Sequence, residues 1–360
     1  MKHIDEYRDA ELSLKIAGKI RAISRKNLRL AEVCGTHTMA IFRSGIRALL
    51  PETVTLHSGP GCPVCVTSQR EIDTFIEVAG IKDVIVATFG DLLRVPGTHS
   101  SLQKKRAEGK EIRIVYSVFD ALDLAESHAE KEVVFLGIGF ETTAPTIAAS
   151  VVEAEKRKLE NFSVLSAHKL VPPALVALMA ADDVNIDGFI CPGHVSVIIG
   201  SGAYLPVVEE YHTPCVVSGF EPADILQATY MLVRQIEEGD AKLENEYRRA
   251  VTFEGNEKAR QIMYQVFEPI DAAWRGIGTI PQSGLKIRLE YDSFDAEKRF
   301  NLSVPDSREP KGCACGEILL GRKTPPECPL YKKLCTPSSP VGPCMVSTEG
   351  TCAAYYKYHA

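Results

Sequence analysis

The chain has 360 residues, 45% of them apolar and 24% charged, with a formal net charge of -6 and a pI near 5.9. That length exceeds what one hydrophobic core serves, so two or three domains are expected. The ordinary globular composition excludes a disordered or fibrous chain, and the acidic balance leaves no broad basic surface for nucleic acid.

The N-terminal stretch MKHIDEYRDAELSLKIAGKI has the pattern of a charged helix and lacks the apolar core and cleavage site of a signal peptide. The most apolar runs, 174–181 and 195–199, are too short to cross a bilayer, so no membrane span is expected and the location reads as cytoplasmic. In a reducing compartment the eleven cysteines point to metal ligands, redox thiols or buried small side chains rather than a disulfide framework.

In chain order, residues 1–26 predict a helix whose apolar face (Ile4, Leu12, Leu14, Ile16, Ile20 and Ile23) docks on another domain. Short apolar strands follow at 28–33, 54–57, 84–88 and 112–117, and again at 133–138, 163–166, 188–191 and 215–217, with helical intervals between them. Alternating strand and helix argues for parallel α/β sheets. Glycine-rich loops recur in a loosely similar order: 34–38 resembles 139–143, 59–64 resembles 191–195, and 87–91 resembles 217–221. This weak repeat predicts two related parallel-sheet α/β domains facing a cleft, cut at 27–130 and 131–250. A cysteine-rich, mainly helical and loop domain is expected over 251–360.

Ligands of open α/β sheets bind beyond the carboxyl ends of strands, where these loops lie. Cys34, Cys62, Cys65 and His194 are therefore expected to converge on the cleft. Cys62-Pro63-Val64-Cys65 follows Gly59-Pro60-Gly61 and precedes a helix predicted over 67–78, whose amides would favour a thiolate for dithiol cycling or soft-metal binding. Cys34 opens Cys34-Gly35-Thr36-His37-Thr38, in which Gly35 permits close approach and His37 offers a ligand or a lowered thiol pKa. Glu141 in 137–143 is a candidate polar site residue beside an anion-cradling loop that matches no P-loop. Cys191 and Cys215 end apolar strands and read as buried. Trp274 and the aromatic tail at 355–358 read as packing.

The forty residues 313–352 hold Cys313, Cys315, Cys328, Cys335, Cys344 and Cys352 among six prolines. Soft thiolates at this density select iron–sulfur or zinc. Zinc favours paired CxxC knuckles, which are absent, whereas a 4Fe-4S cube accepts irregular spacing. The cube uses four thiolates and leaves two for a dithiol beside it. Structural zinc and disulfides are the alternatives.

Taken together, CGTHTMAI, GPGCPVC, GFETTAP, CPGHVSVIIG and the run from the CxC at 313–315 to VGPCMVSTEGTCAAYY resemble the hydrogenase maturation factor HypD family over nearly the whole chain. That resemblance implies a scaffold for assembling the Fe(CN)2(CO) group of NiFe-hydrogenases, with HypC sharing an iron ligand and HypE delivering cyanide. It implies iron binding at Cys34, with Cys62 and Cys65 as a nearby essential pair and His194 in the family's PGH loop. By the same analogy Cys313, Cys328, Cys335 and Cys352 hold a 4Fe-4S cluster, and Cys315 with Cys344 forms the redox pair. An iron–sulfur-dependent thiol–disulfide reductase and a simple iron metallochaperone are the rival readings.

Overall fold

The computed structural model describes residues 5–181, 184–302, 304 and 307–358. Among the described residues eleven strands run in chain order: β1 (Leu28–Glu32), β2 (Val54–Ser58), β3 (Val84–Thr88), β4 (Glu111–Ile114), β5 (Glu132–Gly137), β6 (Phe162–Ser166), β7 (Gly188–Pro192), β8 (Cys215–Ser218), β9 (Leu243–Asn245), β10 (Phe267–Trp274) and β11 (Gly278–Ile287). They form two parallel sheets, ordered β2-β1-β7-β8-β9 and β4-β3-β5-β6, and one antiparallel hairpin, β10-β11.

Alternation within the strands explains why both sheets are buried on two faces, as parallel sheets require. In β5, Val133 and Phe135 join a core with Ala121, Leu122, Ile147 and Val151, while Val134 and Leu136 point to the opposite face. In β1, Leu28 and Leu30 pack with Ile16, Ala17 and Ile20 of the helix Ala10–Ile23, whereas Ala31 faces the other way. Those opposite faces, from both sheets, meet in one shared core that also takes in the cysteine-rich segment. The predicted N-terminal helix thus docks on the first sheet's unit, against the helix Pro222–Glu238. Its docking face is narrower than expected, because Leu12 and Leu14 are exposed, and Ile4 lies outside the described residues.

Sheet membership does not follow a cut near residue 130. The chain lays down β1 and β2, leaves to build the whole second sheet from β3 to β6, and returns for β7 to β9. Parallel neighbours are joined by crossovers rather than tight turns, so sequence adjacency need not mean sheet adjacency. The loop repeat fails as a map of two contiguous domains for the same reason. The loops at 59–64 and 191–195 follow β2 and β7 of one sheet, and 87–91 and 217–221 follow strands of different sheets.

The segment expected to open the cysteine-rich domain is also divided. The helix Glu257–Val266 packs on the helix Ala144–Arg157, and Phe267, Leu285, Ile287 and Phe294 complete the second sheet's core. The cysteine-rich unit proper consists of the short helices Cys315–Leu319, Pro343–Val346 and Thr351–Tyr358 joined by loops. No helix among the described residues is long and apolar enough to cross a membrane.

A fragment of residues 1–130 contains two strands of each sheet and completes neither core. It is expected to show no cooperative urea transition by circular dichroism, in contrast to the full chain. A sharp transition in the fragment would contradict this topology.

Candidate thiol cleft and cysteine cage

The first group of thiols sits where the loops after β1 and β2 touch. The Gly35 N–H donates to Gly61 O at 2.9 Å, and a Cβ at Gly61 would collide with the backbone of Val33 and Cys34. Only glycine allows this approach. Cys34 takes an extended conformation at the N-cap of the helix Gly35–Arg43, while Cys62 caps the helix Pro63–Val66 and accepts from Cys65 N–H at 3.3 Å. Cys62 and Cys65 are joined as a buried disulfide, with Cα atoms 5.2 Å apart. The helix predicted over 67–78 is resolved as two, Pro63–Val66 and Gln69–Val78, the second opened by a Ser68 and Glu71 capping box.

Beneath Cys34 lies Glu32, 1% exposed, whose carboxylate accepts from Cys34 N–H at 3.2 Å and from Thr38 Oγ1 at 2.5 Å. Burial pushes this carboxyl up to about 7. Half-buried Cys34 is pushed up to about 12, first by desolvation and further by the carboxylates of Glu349 and Glu32, against the lowering effect of the His37 and Thr36 amides. The free thiol is therefore protonated at neutral pH, and a metal would have to displace its proton. The His37 ring does not serve the sulfur as expected. Its Nε2 hydrogen-bonds Gly219 O at 2.8 Å and its own pKa falls to about 4 through burial.

His194 does reach this place, at its solvent side. His37 and His194 both stack on Phe220, with ring centroids 4.6 and 3.9 Å away. Burial lowers the His194 pKa, while Glu349 raises it. The loops of Cys34, Cys62 with Cys65, and His194 thus come together from β1, β2 and β7, all in one sheet.

Glu349 is a residue that the sequence analysis did not single out. Its Oε1 accepts from Thr36 Oγ1 at 2.7 Å, and its Cβ lies 2.5 Å from where a Gly35 Cβ would be. With Pro63, Val64, Asp91, Thr142 and Thr143 it lines a groove of about 370 Å³ between the carboxyl ends of the two sheets. An acidic residue in the cysteine-bearing segment STEGTC was visible, but nothing in the spacing tied it to residue 35.

Glu141 does not line that groove, although its neighbours do. It is 1% exposed and turned inward, where Oε1 accepts from Val171 N–H at 2.9 Å at the start of the helix Val171–Met179. Its Oε2 has no hydrogen-bond partner, and burial pushes the carboxyl up to about 7. The loop 139–143 carries Thr142 and Thr143 to the groove and Glu141 inward, against the expectation for Glu141. Cys191 and Cys215 are fully buried, as read.

The second group forms a cage. All six C-terminal cysteines line one cavity of about 10 Å³ with Ile318, Leu330 and Met345, room for about one water. The sulfurs of Cys315 and Cys344 lie 2.7 Å apart, and Val341 N–H donates to Cys335 Sγ at 3.3 Å. Hydrogen bonds from Cys313 and Cys344 press the Cys315 thiol downward, with the Arg275 charge acting in the same direction. The donor set fits a soft iron–sulfur group in kind and number. Among the described residues no three such side chains are already spaced for one metal ion, so a cube requires the thiols to turn outward from one another.

Two parallel α/β units meeting at a groove beside the Cys34 and Cys62–Cys65 loops, with a cage of six cysteines in the C-terminal unit, define a cysteine-rich α/β protein whose donor set is consistent with metal binding. Residues 11–359 match the family model described as "HypD: Hydrogenase formation hypA family". The chain is 47% identical to the hydrogenase maturation factor HypD of Cupriavidus necator, over 99% of this chain and 97% of that protein. It is 43% identical to the hydrogenase maturation factor HypD of Escherichia coli K12, over 99% and 98%, and 45% identical to a putative hydrogenase expression/formation protein of Methanocaldococcus jannaschii, over 97% and 98%. The chain belongs to the HypD family.

The Glu141 carboxyl gives a pH test of this geometry. Between its ordinary 4.5 and about 7 the folded chain holds a proton that the unfolded chain has lost, so this group's contribution to stability falls as pH rises through that window. Glu141→Gln removes the effect, and its stability relative to the parent is expected to rise by on the order of 2 kcal/mol from pH 5 to pH 8 in urea titrations. A difference that does not change with pH would contradict the inward placement.

Proposed function

We propose that the chain is a maturation scaffold on which the Fe(CN)2(CO) group of NiFe-hydrogenases is assembled, in the cytoplasm, with Cys34 gripping the iron. A HypC cysteine shares that iron, and HypE delivers cyanide. The observation that carries this reading is the junction of the Cys34 and Cys62-Cys65 loops through the Gly35 N–H to Gly61 O bond, at the edge of a groove wide enough for a small inorganic group. Iron(II) bearing cyanide and carbon monoxide is soft and suits thiolate ligands, and sharing one ligand with a partner leaves it free to be passed on.

The chain's own groups supply what such a cargo needs. Cys34 stays protonated until metal arrives, and the amides of Thr36 and His37 then support the thiolate that remains. Glu349 and His194 face one another electrostatically and provide a carboxylate and an imidazole to take up the released proton. Cys62 and Cys65 act beside Cys34 as the essential pair. Val64 and Phe140 supply apolar wall to the groove.

In the cage, Cys313, Cys328, Cys335 and Cys352 are assigned as ligands of a 4Fe-4S cluster, and Cys315 with Cys344 as a redox pair. The 2.7 Å sulfur separation of the latter two supports that division. Such a cluster, when bound, supplies electrons one at a time. A second reading, thiol–disulfide reductase activity on a protein substrate, is favoured by the Cys62–Cys65 disulfide, whose helix packs directly on the Cys344 helix.

Infrared spectroscopy of the anaerobically purified protein with HypC and HypE is expected to reveal cyanide and carbonyl stretches, and Cys34→Ala is expected to abolish them. Their absence from the parent, or their persistence in the variant, would sink the scaffold reading. For the cage, Cys315→Ser is expected to keep the broad visible absorption of sulfide-to-iron charge transfer. Loss of that absorption would move Cys315 into the ligand set.

A further inference from the structure

The tip of the β10-β11 hairpin stands between the two thiol groups. Arg275, 2% exposed, follows Trp274 at that tip. Its N–H donates to Val66 O at 2.8 Å, its Nε to Thr67 O at 2.9 Å, and its Nη1 to Gln69 Oε1 at 2.8 Å and Glu309 Oε2 at 3.1 Å. One guanidinium thus holds the end of the Cys62–Cys65 helix and, through Glu309, the segment that leads into Cys313. Lysine has one donor nitrogen and cannot reproduce this fork.

Gly276 extends the same clamp by one residue. Its φ of +67° suits glycine, and it lies backbone to backbone against Gly316 in the first turn of the Cys315–Leu319 helix. A Cβ on Gly316 would come within 2.6 Å of the Gly276 Cα. Pro343–Val346, which carries Cys344, also packs against Pro63–Val66. The helix bearing the disulfide therefore contacts both the hairpin tip and the Cys344 helix, and the hairpin tip also abuts the Cys315 helix.

Burying a guanidinium is costly unless all its donors are paired, and the Nη2 of Arg275 has no hydrogen-bond partner. An apolar side chain of similar volume would fill the site at lower cost. What it would not do is tie three backbone and side-chain acceptors from separate segments to one rigid plane.

We infer that Arg275 is a positioning residue that holds the Cys62–Cys65 disulfide in register with the Cys315 and Cys344 thiols for direct exchange between them. This rests on the redox reading of those two pairs given above. In the exchange the Cys344 sulfur gives up its proton and attacks one sulfur of the disulfide, a mixed disulfide forms, and the other sulfur leaves as a thiolate that takes up a proton. The Cys315 thiolate then attacks Cys344 and frees the second sulfur. One disulfide breaks and one forms, two thiols are oxidised as two are released, and the protons lost by one pair are regained by the other.

The test uses the full chain under anaerobic conditions, with a substoichiometric pulse of dithiothreitol, acid quenching, iodoacetamide alkylation and peptide mass analysis of each pair over time. In the parent the two pairs are expected to relax together. In Arg275→Met the internal exchange is expected to slow by roughly 10-fold or more, as a misplacement of about 1 Å between reacting groups does, while reduction of each pair by dithiothreitol keeps its parent rate. A merely structural residue would alter the external rates as well, or neither. Should Arg275→Met fail to fold, Arg275→Lys, which keeps the buried charge and loses the fork, is expected to show the same selective slowing. Parent-like internal exchange in a folded variant overturns the role of Arg275 alone. Absence of exchange in the parent overturns the redox reading, and this inference with it.

Discussion

The structure turns on one close approach, the Gly35 N–H to Gly61 O hydrogen bond between the loops that follow β1 and β2. Neighbouring parallel strands bring their carboxyl ends side by side, but a side chain at Gly61 would hold the loops apart, and one at Gly35 would displace Glu349. With no Cβ at Gly61 the backbone of Cys34 lies against it, and the next residue is Cys62. The same crossing brings Glu32 beneath both loops. Its side chain receives the Cys34 amide, and its carbonyl accepts from Gly59 N–H at 2.8 Å. One buried carboxylate and two glycines therefore set where the thiols lie, before any ligand is considered.

The cysteine-rich unit depends on that frame rather than on a core of its own. Short helices of four, five and eight residues joined by loops bury few apolar groups among themselves. Arginines of the α/β units reach across instead. Arg29 donates to Gly321 O at 2.7 Å, Arg47 to Tyr355 Oη at 2.9 Å and Arg94 to Val346 O at 3.1 Å, while Arg275 pairs with Glu309. Three of these contacts end on uncharged oxygens of the unit and fix its orientation through hydrogen bonds.

Much of this was legible in the sequence because the chemistry is carried by rare residues. Eight predicted strands coincide with β1 to β8, since alternating β-branched runs between glycine-rich loops have few other ways to fold. The convergence of Cys34, Cys62, Cys65 and His194 followed from placing each loop at a strand's carboxyl end. What local pattern lacks is strand order. That the chain would interrupt one sheet to build another is decided by which apolar faces match across the shared core, a long-range property. The hairpin at 267–287 escaped notice because Pro269, Pro281 and the bulge between Ile270 and Ala272 interrupt the alternation that marks a strand. Glu141 and Glu349 were exchanged for a similar reason. Sequence gives the residue at a loop, whereas the direction of a side chain depends on local backbone geometry, and Gly139, at φ +152°, helps turn this loop so that Thr143 rather than Glu141 faces the groove.

The proton affinities draw the two thiol groups into one argument. Cys34 is raised to about 12 by burial beside two carboxylates, which is unfavourable for a nucleophile but suitable for a ligand that should stay silent until a cation arrives. Cys315 is pressed the other way by the thiols around it and by the Arg275 charge. The disulfide of Cys62 and Cys65 lies between these extremes, its helix touching the Cys344 helix on one side and its preceding loop bonded to Gly35 on the other. Reduction of that disulfide would free two thiols within the loop that adjoins Cys34.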